Sequence, residues 1–427
     1  MRNQFSITIL VLCIVMAGSA GGQEFRITSL SASGILSWTN VYARGICTVE
    51  SSASPHGPWL PERNFYTTTR TIQVPVTISD ERRFFRLLTS DISSGTPGFN
   101  NLIASYGILS TVAGRGRFDD DLVNYWQPEF EGGPADSANL SRPHFAMADM
   151  VGNIFIADKN SHAILKVTPE GTIHTVAGTH EAGDDGNQPR IGTNARLNAP
   201  NGLWVGADGT VFILDTDNSK VRRLDTNGIL TTLFTVDKGI KGGRGLWVRD
   251  DETLAYFASE TEIRRWTASN GIKTFRDNFI DLGNLVVDEA GNVIATDRGA
   301  NAVYRVTSSN RTRIAGNGTT SGGGDGFAAS DTGLAGVRGI WLMPHGGYLL
   351  ATHEGSQVWY VDPDGIIHLF LDGAGGRTHG GDGDWFFSPG IKISEPRSVT
   401  MDHQGNILIT ESDYGFVRKI AFQRLWP

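Results

Sequence analysis

The chain beyond residue 140 is a succession of short apolar runs separated by turn residues. Residues 151–178 (VGNIFIADKNSHAILKVTPEGTIHTVAG) contain three of them, NIFIAD, AILKV and TIHTVAG, which are rich in β-branched and aliphatic side chains and bounded by Gly, Asn, Asp or Pro. Runs this short predict the strands of a tight antiparallel meander, because a helix needs longer and uninterrupted periodicity.

This pattern recurs, with a further apolar strand leading each copy. The copies are HFAMAD/NIFIAD/AILKV/TIHTVAG, NGLWVGAD/VFILD/KVRRL/GILTTLF, RGLWVRDD/LAYFASE/EIRRW/GIKTF, GNLVVDEA/NVIATD/AVYRV/RTRIAG, RGIWLMPH/YLLATHE/QVWYV/IIHLFLDG and RSVTMDHQ/NILITE/FVRKI. Repetition at a fixed period predicts stacked supersecondary units, none of which buries its apolar face alone.

The sixth copy lacks its fourth strand, and the missing strand is found before the first copy. Residues 107–114 read GILSTVAG, nearly the same as GTIHTVAG in the first copy, and have no first three strands of their own. We therefore predict a ring that closes by pairing these residues with the last copy, which removes the exposed sheet edges of a linear stack.

The pattern P-x-G-[LIV]-x-[VL]-x-x-x-G-x-[LIV]-[FLY]-[IV]-[AT]-[DE], followed by V-[RK]-[RK]-[VLI] and T-V-A-G, resembles the NHL repeat of β-propellers. The resemblance covers about three quarters of the chain. It implies an all-β fold, a six-bladed NHL-like propeller whose ring is closed by an N-terminal strand.

The first hundred residues have a different organisation. Residues 1–22 combine a basic Arg2, an apolar core and small residues, which predicts a secretory signal peptide and hence a secreted, periplasmic or cell-envelope protein. Residues 23–90 alternate as strands and predict a small β-sandwich resembling appendage modules of secreted bacterial proteins. Residues 91–104 are rich in Ser, Gly, Pro and Asn and predict a linker, so the propeller is expected over 105–427.

Composition agrees with this organisation and narrows the partners. The 53 glycines and 39% hydrophobic residues favour many short strands. No later apolar run approaches the length of a transmembrane span. The formal net charge of −8 argues against nucleic acid, which needs a concentrated Lys/Arg surface.

Two columns of polar residues are expected at one mouth of the propeller, because each first strand begins where the second strand ends. The first-strand column is His144, Asn201, Arg244, Gly283, Arg338 and Arg397, and the second-strand column is Asp158, Asp215, Glu260, Asp297, His353 (or Glu354) and Glu411. In one interpretation the basic residues of the first column pair with the acids of the second and hold the blades together. In the other, Arg244, Arg338 and Arg397 are left free to bind a carboxylate, sulfate or phosphate.

Unequal loops lead onto the same face. Long ones precede blades 1, 2, 5 and 6, and short ones precede blades 3 and 4, which predicts a crater that is walled on one side. Trp126 and Trp385 lie in the long loops, where they are candidates for stacking on a ligand or for packing on neighbouring loops.

Metal sites are a further possibility. Gly-Asp clusters at 119–121, 183–187, 323–326 and 380–384 are candidates for calcium, although none has a complete calcium-loop spacing. The resemblance to this fold also implies zinc or calcium at the mouth as a possibility, because some of its relatives, the peptide-amidating lyases and lactonase-like six-bladed propellers, hold these metals there. His144, His180, His353 and His379 are the zinc candidates, without a diagnostic spacing.

Together these features favour an exported recognition protein. We expect a peptide, glycan or protein ligand at the mouth, bound by Arg244, Arg338 and Arg397 with Asn201, His144, Trp126 and Trp385. The alternative is a metal-dependent lyase or hydrolase with its site at the same place.

Overall fold

The structure is a computed structural model that describes residues 10–11, 26–31, 35–39, 45–56, 60–67, 71–75, 84–91, 97–116, 122–343, 346–373 and 378–423. The chain divides into two compact units, Met1–Ser105 with Pro344–Gly346 and Phe422–Pro427, and Tyr106–Met343 with Gly347–Ala421. Apart from residues 10–11, the expected signal peptide lies outside the described residues. Over the described ranges, no helix has both the length and the apolar character needed to cross a membrane.

The first unit contains two small sheets that share a core. Its strands are β1 (Leu10–Val11), β2 (Arg26–Leu30), β3 (Ile35–Thr39), β4 (Gly45–Ser52), β5 (Leu60–Thr67), β6 (Thr71–Pro75) and β7 (Phe84–Asp91), in the orders β1-β7-β4-β5 and β2-β3-β6. Leu36 and Trp38 of β3 pack with Val49, Phe85 and Leu87 of the other sheet. Residues two apart on a strand share a face, so each pair projects into this core.

The stretch predicted to be a linker contains a short helix, α1 (Pro97–Ala104). A proline is tolerated in the first turn because the N–H it lacks has no partner within the helix.

The second unit is a six-bladed β-propeller, as the repeats predict. Its strands are β9 (Pro143–Ala148), β10 (Ile154–Asp158), β11 (Ala163–Val167) and β12 (Ile173–Ala177) in blade 1; β14 (Pro200–Val205), β15 (Val211–Asp215), β16 (Lys220–Leu224) and β17 (Ile229–Thr235) in blade 2, with β13 (Arg190–Ile191) on its outer edge; β18 (Leu246–Val248), β19 (Leu254–Ser259), β20 (Glu262–Thr267) and β21 (Gly271–Arg276) in blade 3; β22 (Leu282–Val287), β23 (Val293–Asp297), β24 (Ala302–Val306) and β25 (Arg311–Ala315) in blade 4; β26 (Val337–Leu342), β27 (Tyr348–Thr352), β28 (Gln357–Val361) and β29 (Ile367–Asp372) in blade 5; and β30 (Pro396–Met401), β31 (Ile407–Glu411), β32 (Phe416–Phe422) and β8 (Tyr106–Ala113) in blade 6. Short 3-10 turns occur at Pro128–Phe130, Ala135–Ser137, Lys159–Ser161, Gly192–Asn194 and Ala329–Asp331.

The ring closes through β8, which is hydrogen-bonded to β32 as the fourth strand of blade 6. This confirms the prediction that the GILSTVAG stretch at 107–114 pairs with the last copy and closes the ring. Ala113 and Val417 of blade 6 share an apolar cluster with Ile156 and Leu165 of blade 1, so the seam is packed like the other blade interfaces.

The axial strands approach one another closely where the repeat has glycine. A Cβ on Gly202 would lie 2.1 Å from the carbonyl oxygen of Arg244, and one on Gly339 would lie 3.0 Å from the backbone nitrogen of Val399. Strand-to-strand contact between blades therefore explains the glycine of the P-x-G pattern. It also places the residue before each glycine at the entrance to the channel.

Candidate ligand-binding site at the propeller mouth

The acids that end the second strands cap the chain entering their own blade. The acceptors and their backbone donors are Asp158 with Ser141 N (2.7 Å), Asp215 with Asn198 N (2.8 Å), Asp297 with Ile280 N (2.9 Å) and Glu411 with Ser394 N (2.9 Å). No ion pair joins them to Arg244, Arg338 or Arg397 within the described ranges. Burial raises the pKa of Asp158 to about 7 and that of Asp215 to about 6. These acids therefore hold loops in place and leave the arginines of the first column to other partners.

A hydrogen-bonded chain crosses half of the ring at the mouth. The carboxylate of Asp413 accepts a 2.7 Å bond from Arg397, and Arg397 donates to Nε2 of His144 over 3.2 Å. His144 donates through Nδ1 to the side-chain oxygen of Asn201, whose amide nitrogen donates to the carbonyl of Gly243 over 2.8 Å. Because a guanidinium only donates, the chain requires a neutral imidazole protonated at Nδ1. Burial, followed by the charge of Arg397, lowers the pKa of His144 well below its usual value and keeps it neutral.

Arg244 and Arg338 differ from Arg397 because neither makes a hydrogen bond or ion pair through its side chain with any described residue. Arg338 is only 4% exposed, and the Nε and Nη1 atoms of both arginines are buried without acceptors. Burial lowers the pKa of both; the next cause is Arg244 for Arg338 and Arg397 for Arg244. Buried charges in native proteins are normally paired, and these two guanidiniums are exceptions because no described acid forms an ion pair with them.

The blade between these two arginines has glycine at the equivalent position. Arg244 begins blade 3, Arg338 begins blade 5, and Gly283 holds the equivalent position in blade 4. A Cβ on Gly283 would lie 2.4 Å from Oγ1 of Thr296 and 2.6 Å from the carbonyl oxygen of Arg338. Gly283 itself therefore places no side chain between the two arginines, whereas the adjacent Asn284 projects from blade 4 and donates to the carbonyl of Arg397 over 3.3 Å.

Nearby acids are already engaged with other cations. Arg298 binds Asp281 at 2.7 Å and Glu354 at 3.0 Å. Asp413, which accepts from Arg397, also lies 3.5 Å from Arg142. The half-buried Lys159 adds positive charge, and burial together with Arg142 and Arg244 lowers its pKa. The mouth is therefore positively charged around Arg244 and Arg338, although the whole chain is acidic.

His353, Glu395 and Asp413 form a group that could hold a metal ion, with their ligand atoms all within 4.8 Å of one another. Nε2 of His353 lies 3.4 Å from Asp413 and 3.9 Å from Glu395. One imidazole and two carboxylates suit zinc, whereas calcium takes six to eight oxygens. A metal ion would have to compete with Arg397 for Asp413.

The other sequence-predicted site residues lie in separate packing contacts. His180 stacks on Trp126 with a ring-centroid distance of 4.8 Å. His379 stacks on Phe416 at 3.6 Å. Of the four candidate histidines, the structure brings together only His144 and His353, which flank the Arg397–Asp413 pair.

Trp385 differs from Trp126 in remaining 44% exposed. It donates through Nε1 to the carbonyl of Tyr106 over 3.1 Å, and its ring lies 5.5 Å from that of Phe387.

In most of the described Gly-Asp loops the carboxylates bind side chains or backbone groups of the protein itself. Asp184 binds Lys220 at 2.6 Å, Asp185 binds Arg196 at 2.7 Å, and Asp382 binds Arg418 at 2.7 Å. Asp325 accepts from the backbone nitrogen of Leu369. These contacts stabilise the loops as turns. The cluster at 119–121 lies outside the described residues.

Sequence reasoning missed Asp413, Glu395 and Lys159. Asp413 follows Glu411 by two residues, and this second acid just beyond the strand was the available signal. Glu395 and Lys159 belong to loops, where the repeat gives no register.

Comparison with solved structures shows the propeller fold. A Bacteroides thetaiotaomicron protein of unknown function matches over 95% of this chain and 100% of its own, with a TM-score of 0.59 and 12% identity. Auxiliary nutrient binding proteins from B. thetaiotaomicron and B. ovatus each match over 91% of this chain and 94% of their own, with TM-scores of 0.55 and identities of 12% and 11%.

No family model matches the chain. Among curated proteins, a gluconolactonase of Zymomonas mobilis is 25% identical over 183 residues, 36% of this chain and 48% of that protein. SUPPRESSOR OF QUENCHING 1 of Arabidopsis thaliana is 35% identical over 105 residues, 24% of this chain and 10% of that protein. The chain thus spans half or less of the length of these relatives, and the resemblance to NHL repeats stays a resemblance of pattern.

Proposed function

We propose that this chain is an exported binding protein that captures a peptide, glycan or protein ligand through a negatively charged group at the propeller mouth. The observation that carries the proposal is that the Nε and Nη1 atoms of Arg244 and Arg338 are buried and have no acceptor among the described residues. An unpaired buried charge costs several kcal/mol, roughly 3–5 where a partner has been removed, so a ligand anion has a large stabilisation to supply. The nutrient-binding role named for two propellers of the same fold supports a binding function.

Within this proposal the predicted site residues have different roles. Arg244 and Arg338 contact the anion. Arg397, His144 and Asn201 are already bonded to one another, and they position the strand ends around the mouth. Trp385 is exposed enough to stack on the rest of the ligand, whereas Trp126 is occupied by His180.

The test is the thermal stability of the protein with a panel of anionic ligands, carboxylates and phosphate among them, at constant ionic strength. We expect the panel to raise the Tm of the wild-type protein but not that of the double variant Arg244→Met/Arg338→Met. Arg249→Met is the matched control, because Arg249 is exposed and pairs with Asp251 away from the mouth. Equal Tm increases in all three proteins would refute the proposal.

A second candidate function is that of a metal-dependent lyase or hydrolase. It is favoured by the convergence of His353, Glu395 and Asp413 and by the partial likeness to a gluconolactonase. These residues would hold the metal, which would supply Lewis-acid activation of a bound oxygen.

Elemental analysis of the purified protein tests this alternative. Stoichiometric zinc that is lost in His353→Ala but kept in His379→Ala would favour it. Absence of metal after purification with added zinc would eliminate it.

A further inference from the structure

We infer that Arg244 and Arg338 together bind one compact group carrying two negative charges, of the phosphate-monoester or dicarboxylate class, which bridges the two guanidiniums. This inference rests on the proposed function and specifies the chemistry that the site recognises. Three features of the mouth lead to it.

The first feature is the number of uncompensated charges. Asp281 and Glu354 are bound by Arg298, and Asp413 is bound by Arg397. Of the arginines that begin the first strands, Arg244 and Arg338 therefore remain without an ion-pair partner among the described residues. A group with a single negative charge could pair fully with only one of them, whereas a dianion offers one charge to each.

The second feature is the position of the two arginines. They begin blades 3 and 5, and after burial the positive charge of Arg244 is the largest cause that lowers the pKa of Arg338, so the two repel one another. Gly283, the residue of blade 4 at the same position, has no side chain to place between them, and its backbone packs directly against that of Arg338. An anion placed between the two guanidiniums would attract both of them and so offset their mutual repulsion.

The third feature is the number of donors. Nε and Nη1 of each arginine are buried without acceptors, which makes four unsatisfied donor atoms. A carboxylate commonly pairs with one guanidinium in a two-bond fork. A phosphate monoester has three terminal oxygens, and a dicarboxylate has four, so either class can serve both arginines at once.

Isothermal titration calorimetry at constant ionic strength and pH 8 tests the inference with inorganic phosphate, malonate and acetate. We expect phosphate or malonate to bind the wild-type protein more than about tenfold more tightly than acetate. The stronger of the two identifies the group as tetrahedral or dicarboxylic. Either single variant, Arg244→Met or Arg338→Met, should lower dianion affinity to the level of acetate, whereas Arg249→Met should leave it unchanged.

The outcomes separate the inference from the proposed function. If acetate binds as tightly as the dianions and all are lost in the double variant, the dianion inference is overturned and the binding site stands. If every anion binds the wild type and the double variant alike, both fail. Circular dichroism of each variant excludes misfolding as the cause of lost binding.

Discussion

The three mouth arginines differ at the scale of single residues in what surrounds their guanidiniums. Arg397 has a carboxylate and an imidazole within hydrogen-bond distance, whereas Arg338 is as deeply buried and has neither. Stability in the absence of ligand should therefore respond in opposite directions when each is replaced by methionine, which keeps much of the side-chain length.

We predict that Arg338→Met raises the free energy of unfolding by about 1–2 kcal/mol, because it removes an uncompensated buried charge. Arg397→Met should lower it by about 3–5 kcal/mol, because it leaves Asp413 and His144 without their shared partner. Urea denaturation in ligand-free buffer measures both. A loss of stability in both variants would show that Arg338 has a stabilising partner.

Asp158 gives a prediction for pH dependence. Burial raises its folded pKa to about 7 from an ordinary 3.8, so between these values the folded protein binds a proton that the unfolded chain does not. Its contribution to stability therefore falls as pH rises through this window. Relative to wild type, Asp158→Asn should gain about 2–3 kcal/mol between pH 5 and pH 8, since each pKa unit corresponds to about 1.4 kcal/mol.

The control for this titration is Asp251→Asn. Asp251 is exposed, and its hydrogen bond from Arg249 lowers its pKa to about 2, so it stays ionised from pH 5 to pH 8. Its difference from wild type should not change across that range. A pH-independent difference for Asp158→Asn would mean that Asp158 is ionised throughout.

At the scale of strands, the repeat predicts much of the structure but not its register. The strands β10, β15 and β31 end at the acids expected from the sequence. The ion pairs of Asp215 and Glu411 are formed by Arg222 and Arg418, whereas the adjacent Arg223 pairs with Glu252. Adjacent residues of a strand point to opposite faces, so an error of one position exchanges the two sides of a blade.

The glycine of the repeat gives a prediction at the same scale. In Gly202→Ala the new methyl group would meet the carbonyl of Arg244 at 2.1 Å, and backbone cannot yield as a flexible side chain can. We expect a loss of at least about 1–3 kcal/mol, the usual cost of overpacking. Gly380→Ala is the control, because a Cβ there has no neighbour within 4 Å. Equal changes of Tm in the two variants would contradict this account of the P-x-G motif.

At the scale of the whole molecule, the candidate site depends on ring closure. Residues as distant as His144 and Arg397 meet only because blade 6 packs against blade 1. The fold was therefore predictable from local repeats. The partners of individual arginines were not, since the decisive contacts, such as Arg397 with Asp413, lie outside the two expected columns.

Closure itself can be tested by two truncations that differ only in β8. A chain of residues 105–427 keeps this strand, whereas 115–427 lacks it together with the buried side chains of Tyr106, Leu109 and Ala113. Without β8 the edge of β32 is exposed, and an unpaired edge favours association with other chains. We expect the longer chain to unfold cooperatively in urea and to elute as a single species. The shorter one should unfold at lower urea or aggregate, and equal stability of the two would mean that β8 is dispensable to the ring.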